Sequence, residues 1–222
     1  MKLIKFVLVF SFATLFGCTS THNGYDYTAF RAADPHSILV LPPLNNTTEV
    51  IAPYSVMAQV IKPIAESGYY VFPVAVVDQT FKNNGLTVAN DVHAVPVNKL
   101  HEIFGADAAL YLTVSEYGTS YVLIASETRV TLKATLVDLR NGVVLWQNSA
   151  TASSDEDRDD ENNHGLFGAL VDAAVNQIFE SIADTGFDIT GKTTDRLLSA
   201  DNYNGLLYGP RSPQYGQPAK GE

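Results

Sequence analysis

Residues 107–152 hold the pattern that most restricts the fold. Val130, Leu132, Ala134 and Leu136 alternate with Thr131, Lys133 and Thr135, the two-residue period of a strand with one face on a core and one in water. Asn141-Gly142 follows. Both residues tolerate positive φ, so the pair predicts a two-residue type I′ reversal. A return strand then runs from Val143 to Asn148 and carries Trp146, the only tryptophan. Upstream, Ala108, Leu110, Leu112 and Val114 make a third strand, with Gly118 in the turn region after it. A meander of three strands leaves one apolar face that helices must cover.

The flanks supply that cover. Ser37–Leu41 is a short apolar run stopped by Pro42-Pro43, as suits a buried strand. A helix is expected from about Pro53, with Val56, Val60, Ile61 and Ile64 at helical spacing. Pro63 should kink it or end it early. Gly68 breaks the chain before a second strand, Tyr69–Phe72, so that strand, helix and strand form a parallel, right-handed unit. Short helices over Val74–Lys82 and Val97–Phe104 precede the meander, the first stopped by Asn83-Asn84-Gly85 and the second capped by Gly105. A last long helix is read over Gly165–Ala183. Phe167, Leu170, Val171, Ala174, Ile178 and Ile182 form its apolar stripe, and Gly186 ends it. The fold class is therefore α/β: a single domain with a mixed sheet of about five strands, in the order β-α-β-α-α-β-β-β-α, and helices packed on it. The expected divisions are a signal segment over 1–17, a tether over 18–36, the α/β domain over 37–189 and an irregular tail over 190–222. Tyr25, Tyr27 and Phe30 give the tether the means to dock on the domain.

The N-terminus indicates where such a domain works. Lys2 and Lys5 precede an apolar run, Phe6–Phe16, which has the length of a signal core and is too short to span a bilayer. Leu15-Phe16-Gly17-Cys18 then looks like a bacterial lipobox, with Phe16 bulkier than the usual residue there. Cys18 is the only cysteine. Once acylated it becomes the new N-terminus and leaves no thiol for a disulfide. Each buried CH₂ of an acyl chain contributes about 0.8 kcal/mol, so two or three chains anchor a protein effectively for good. Thr19, where Asp would favour the inner membrane, favours the outer one. The formal charge of −10 argues against nucleic acid as a partner.

Two patterns point towards chemistry and then depart from it. Gly186–Thr193 fits G-x-x-x-x-G-K-[ST], but a phosphate-binding loop stands between a strand and a helix. Here a helix precedes, too little chain follows for a nucleotide-binding sheet, and a C-cap at Gly186 with a turn at Gly191 is the plainer reading. Asp155, Asp157 and Asp159 have the spacing of the first calcium ligands of an EF-hand. Asp160 then replaces the required Gly and Leu166 the required Glu, so the run reads as a solvated loop before a helix. His22, His36, His93, His101 and His164 show no metal-binding spacing. Ser115 and Ser120 lack a nucleophile elbow, and Glu102, Asp107 and Glu116 are carboxylates of the kind any domain offers. No catalytic residue, cofactor, metal or nucleotide is expected. In the tail, Leu206-Leu207-Tyr208 is an apolar anchor in a polar segment. It either folds back on its own domain or docks on a partner.

Five stretches carry a resemblance: LVLPPLNN at 39–46, APYSVMAQVIKPIAESGYYVFPV at 52–74, EIFGADAALYLTVSEYGTSY at 102–121, LVDLRNGVVLW at 136–146 and LLYGPRSP at 206–213. Behind a lipobox, they resemble the neisserial-type surface lipoprotein family of unknown function, first recognised as genome-derived antigens. The resemblance implies a fold like the TolB N-terminal domain and, distantly, like the curli-secretion channel lipoprotein. It also implies an outer-membrane lipoprotein, periplasmic or surface-exposed, anchored through Cys18. Such a protein would be a non-enzymatic assembly or accessory factor of an envelope transport or secretion system. Its expected partner is a curli-channel-like lipoprotein or another envelope assembly protein, with homo-oligomers as a further arrangement. Two alternatives stay open: a stand-alone module binding a cell-wall or surface ligand, and a hydrolase whose site the sequence does not reveal.

Overall fold

The structure is a computed structural model that describes residues 25–122, 125–156 and 178–220. Among them the order is α1 (Thr28–Ala33), β1 (Ser37–Val40), β2 (Leu44–Asn45), α2 (Ala52–Gln59), α3 (Ile61–Glu66), β3 (Tyr70–Val71), α4 (Val74–Asn83), α5 (Ala89–His93), α6 (Val97–Phe104), β4 (Ala108–Val122), β5 (Ala125–Asp138), β6 (Val144–Ser153) and α7 (Ile178–Leu198). The strands form one mixed sheet ordered β3-β1-β4-β5-β6, with β2 also paired to β4. β1 is parallel to β3 and β4, and the β4-β5-β6 meander is antiparallel. The sixth strand is the two-residue β2.

Among the described residues, the sheet is covered on two faces at one end and on one face at the other. Ile38 and Val40 enter the main core, while Leu39 and Leu41 enter a second cluster with Val77, Phe81 and Leu100 from α4 and α6. A strand buried on both faces reads as a continuous apolar run, and β1 does. In β5, Val130, Leu132, Ala134 and Leu136 are buried and Lys133 is exposed, which places the expected face against α7. Each such buried side chain stabilises by roughly 1.5–3 kcal/mol. The proline-bearing helix breaks at Val60, and Pro63 sits in the first turn of α3, where a missing N–H costs least.

Several expectations need correction. β4 does not turn at Gly118. It bulges between Val114 and Glu116 and continues, pairing Gly118 with Arg129 and Val122 with Ala125. The β5–β6 connection is wider than a two-residue turn. Asp138 N–H donates to the Val143 carbonyl at 2.9 Å, Gly142 N–H donates to the Asp138 carbonyl at 2.8 Å, and only Gly142 has positive φ, at 78°. The wider loop buries Leu139, whose N–H reaches the Asp107 carbonyl at 2.9 Å. It also lets Arg140 grip the buried Asp138 carboxylate through Nε at 2.9 Å and Nη2 at 2.7 Å. That guanidinium holds the Asp138 carboxyl below the usual carboxylate range.

The largest correction lies in α7. The stripe read from Phe167 to Ala174 lies outside the described residues, and the helix runs on through Gly186 to Leu198. Gly186 lies inside the helix, and a Cβ there would meet the Tyr117 hydroxyl at 2.7 Å, which accounts for a glycine at this position. The folded unit also begins before residue 37. Tyr27 and Phe30, on and beside α1, are core residues.

Candidate functional site

Cys18, the expected lipid attachment point, lies outside the described residues. The tail lies within them. Leu206 is 1% exposed and Leu207 8%, and both belong to the main core of the same chain. Leu206 and Leu207 thus pack within their own chain, and Tyr208 is half-buried with its hydroxyl donating to Asp201.

A clamp around Trp146 fixes the tail. Asn204 adopts positive φ, 56°, so its carbonyl can accept from Trp146 Nε1 at 2.9 Å and from Asn148 Nδ2 at 3.1 Å. Its Oδ1 accepts from the Tyr25 N–H at 3.3 Å. The Tyr27 hydroxyl donates to the Gly205 carbonyl at 2.6 Å, and the Tyr25 hydroxyl accepts from Gln147 N–H at 3.1 Å. The end of α3 holds the other side. Ser67 Oγ accepts from Ala200 N–H at 3.0 Å, the Ser67 carbonyl from Gly209 N–H at 2.8 Å, and the Gly68 carbonyl from Arg211 N–H at 3.0 Å. The Tyr69 hydroxyl donates to the Leu207 carbonyl at 2.6 Å, and burial pushes its ionisation far upward. The chain entering the domain and the chain leaving it are therefore bound to each other.

Between them lies a cleft of about 190 Å³. Phe30, Tyr69 and Leu207 form its apolar floor, all three buried. Arg31 and Asp34 stand on one lip at the end of α1, and Tyr208 and Tyr215 on the other. Asp34 ends the helix in the left-handed region, φ 44°, and its Oδ1 accepts from the Tyr215 hydroxyl at 2.8 Å. Sequence reasoning named Phe30, Tyr69 and Tyr208 of this cleft but missed Asn204, Arg31 and Asp34. The sequence signal for the clamp is Asn204-Gly205 set directly before Leu206.

The chemical patterns resolve into structure. Gly186–Thr193 is helical throughout, so its N–H groups are directed along α7 and cannot converge on a phosphate. Gly186 is no C-cap and Gly191 no turn. Thr193 is buried, and its hydroxyl donates to the Ile189 carbonyl at 2.7 Å. The atoms nearest a Cβ at Gly191 would be the tip of the Gln59 side chain, at 3.4 Å. Gly191→Ala should therefore leave the melting temperature unchanged or raised, since Ala favours a helix interior by about 1 kcal/mol over Gly. A folded Gly191→Ala protein that had lost function would restore the phosphate-loop reading.

Of the acidic run, Asp155 and Glu156 lie within the described residues and the rest outside. Arg196 Nη2 pairs with Glu156 Oε2 at 2.6 Å and draws the Glu156 carboxyl below its ordinary range. Glu102 pairs with Lys99, Asp107 accepts from His36 N–H and Ser37 N–H, and Glu116 accepts from Thr131, so each carboxylate has a different neighbour. His93 bonds the Pro42 carbonyl at 2.9 Å, and burial pushes its pKa down. His101 bonds the Ala106 carbonyl at 2.8 Å. His22 and His164 lie outside the described residues. Among the described residues no three His, Cys, Asp or Glu side chains gather to hold a metal.

Comparison with known proteins places this architecture. A family model described as "Putative lipoprotein GNA1162-like" matches residues 25–211. The "Putative lipoprotein NMB1124/NMB1162" of Neisseria meningitidis serogroup B is 52% identical over 187 residues, which cover 84% of this chain and 86% of that one. The crystal structure of lipoprotein GNA1162 from Neisseria meningitidis is 53% identical, with a TM-score of 0.52 over 65% of this chain and 98% of that one. A distant likeness, 15% identity and TM-score 0.43 over 73% of this chain and 88% of the other, is to a PelC dodecamer from Paraburkholderia phytofirmans.

Proposed function

The chain belongs to the GNA1162-like lipoprotein family, and from that premise we propose that it is an outer-membrane lipoprotein, anchored through acylated Cys18, that serves as a non-enzymatic assembly or accessory factor of an envelope transport system. The observation that carries this reading is the β4–β5 arm. β2 leaves β4 at Val114, whereas β4 and β5 pair with each other out to Val122 and Ala125. β6 leaves β5 at Arg129, and Ser154 covers Thr128 just beyond. Among the described residues, Glu116–Val122 of β4 and Ala125–Glu127 of β5 thus have no further strand beside them. Unpaired backbone of this kind is a template for strand addition by another protein.

The long edge of β6 is closed by comparison. The Tyr25 hydroxyl meets Gln147 N–H, Arg196 reaches the Thr151 carbonyl and Glu156 accepts from Ser153 N–H. A partner strand is admitted at the arm and excluded from β6. The buried polar side chains also support a binding role, since Asp138, Thr190 and Thr193 are each committed to internal bonds.

The anchor is tested by Cys18→Ala. The variant should incorporate no radiolabelled palmitate and should move from the membrane to the soluble fraction. Retention in the membrane without palmitate would refute anchoring through this residue.

A further inference from the structure

The β4–β5 arm offers particular backbone groups at its free edge. Thr128 N–H donates to Ser154 Oγ at 3.0 Å, and the Thr128 carbonyl accepts from Ser154 N–H at 2.9 Å, so both turn away from β4. Thr119 is the residue opposite. In an antiparallel ladder two opposite residues either exchange both bonds or both turn away, and in the second case their side chains come close. The Thr119 and Thr128 hydroxyls are 2.8 Å apart. The Thr119 N–H and carbonyl therefore face outward from the edge of the sheet, and alternation gives Tyr117 and Tyr121 the same backbone direction. The track beside them continues that of β2, which stays bonded to β4 as far as Asn46 N–H on the Val114 carbonyl, 2.9 Å.

The two sides of that track differ in chemistry. On the side of α7, the Tyr117 and Ser55 hydroxyls bond at 3.1 Å, and Ile51 stands one helical turn before Ser55, whose N–H it accepts at 3.0 Å. Ile51 is 50% exposed and Val50 80%. Gly118 lies on the opposite side of β4 from Tyr117. Its φ of +136° favours glycine, and a Cβ there would meet Glu49 Cγ at 3.7 Å. Glu49 is exposed, and its carboxylate has no ion pair among the described residues. Arg129, opposite Gly118, pairs with Glu127 and, at 4.0 Å, with Glu116. Glu49, Glu116 and Glu127 thus surround a single guanidinium.

Building on strand addition at the arm, as read above, we propose that the partner supplies an extended segment in which basic side chains alternate with apolar ones. Main-chain bonds to Tyr117, Thr119 and Tyr121 give affinity, and alternate side chains give specificity. One face of the added strand lies along Ile51 and Tyr117 and takes apolar groups. The other lies along Glu49 and takes Lys or Arg. An acidic segment would set like charges side by side. The chain's formal charge of −10 has the same preference at longer range.

The full chain in detergent is titrated with an octapeptide that alternates lysine with valine, and binding is followed by NMR and amide hydrogen exchange. Two controls are a peptide alternating glutamate with valine, and one with the lysines and valines sorted into two blocks. The expected result is saturable binding of the alternating lysine peptide with slowed exchange at the Thr119 amide. It should bind about tenfold more tightly than the glutamate peptide and lose that advantage in high salt. The block peptide, of equal charge, should leave the Thr119 amide unprotected. Glu49→Lys should reverse the preference, and Glu49→Gln should weaken the lysine peptide about threefold, each with an unchanged melting transition. If Glu49→Lys melts early, Glu49→Gln decides alone. Equal protection by the lysine and glutamate peptides, or a preference that neither variant alters, overturns the proposal and leaves strand addition standing. Failure of all three peptides to protect Thr119 overturns strand addition at the arm, and the proposal with it.

Discussion

A chain that stops at Gly205 should melt about 10–20 °C below the full chain. Truncation removes Leu206 and Leu207, which are buried in the main core, at roughly 1.5–3 kcal/mol each. It also leaves the buried Tyr69 hydroxyl without its acceptor at Leu207 and Ser67 without Gly209. An orphaned buried hydroxyl costs about 1–3 kcal/mol. The sum is on the order of 5 kcal/mol, and a domain of this size shifts by about 2–4 °C per kcal/mol. Thermal unfolding by circular dichroism checks it. An unchanged transition would mean that the tail is not part of the core and is free to dock on another protein.

Gly205→Ala is the single substitution expected to do most damage. A Cβ at this position would lie 2.0 Å from the Ser199 carbonyl oxygen and 3.2 Å from that of Asn202, both of them backbone. Neither can yield as a side-chain tip would, so the turn must open. The Gly205 carbonyl would move from the Tyr27 hydroxyl and the Asn204 carbonyl from Trp146. The expected cost is about 3 kcal/mol or more, read as a lower urea midpoint and a red shift in the fluorescence of Trp146. Gly85→Ala is the control. It has φ +83° with nothing within 4 Å, so it carries only the left-handed backbone cost of about 1–2 kcal/mol. Equal effects at the two positions would contradict the clamp.

The parts legible in the sequence are those where one force dominates. Alternation in β5 reports a sheet with one wet face, and the unbroken apolar run in β1 reports burial on both. The C-terminal half of α7 was illegible for a definite reason. Gly186, Gly191 and four threonines are poor helix formers, and between them they hide a helix whose buried face includes Ile189, Leu197 and Leu198. Tertiary contacts override propensity here. Gly186 admits the Tyr117 ring, and the Thr190 and Thr193 hydroxyls return to carbonyls one turn earlier. The phosphate-loop pattern arises from the same residues, chosen for packing.

The site was less legible than the fold. Tyr25, Tyr27, Phe30 and the Leu206–Tyr208 anchor could be named separately, but nothing local says that the two ends of the domain meet. Asn204 ties Tyr25 and Trp146 to the tail, and Ser67 ties the tail to the end of α3, beside the cleft. Asp34 and Arg31 carry no motif and become a lip only once α1 is placed.

The central claim is that this is an accessory lipoprotein that works by binding another envelope protein. Its most direct test is purification of the lipidated chain from detergent-solubilised outer membrane, with mass-spectrometric identification and stoichiometry of what accompanies it. The account predicts a channel-like lipoprotein or other envelope assembly protein in fixed ratio, photo-crosslinked to a probe placed at Thr119 in the β4–β5 arm. Recovery of this chain alone, as monomer or homo-oligomer with an uncrosslinked arm, would contradict it.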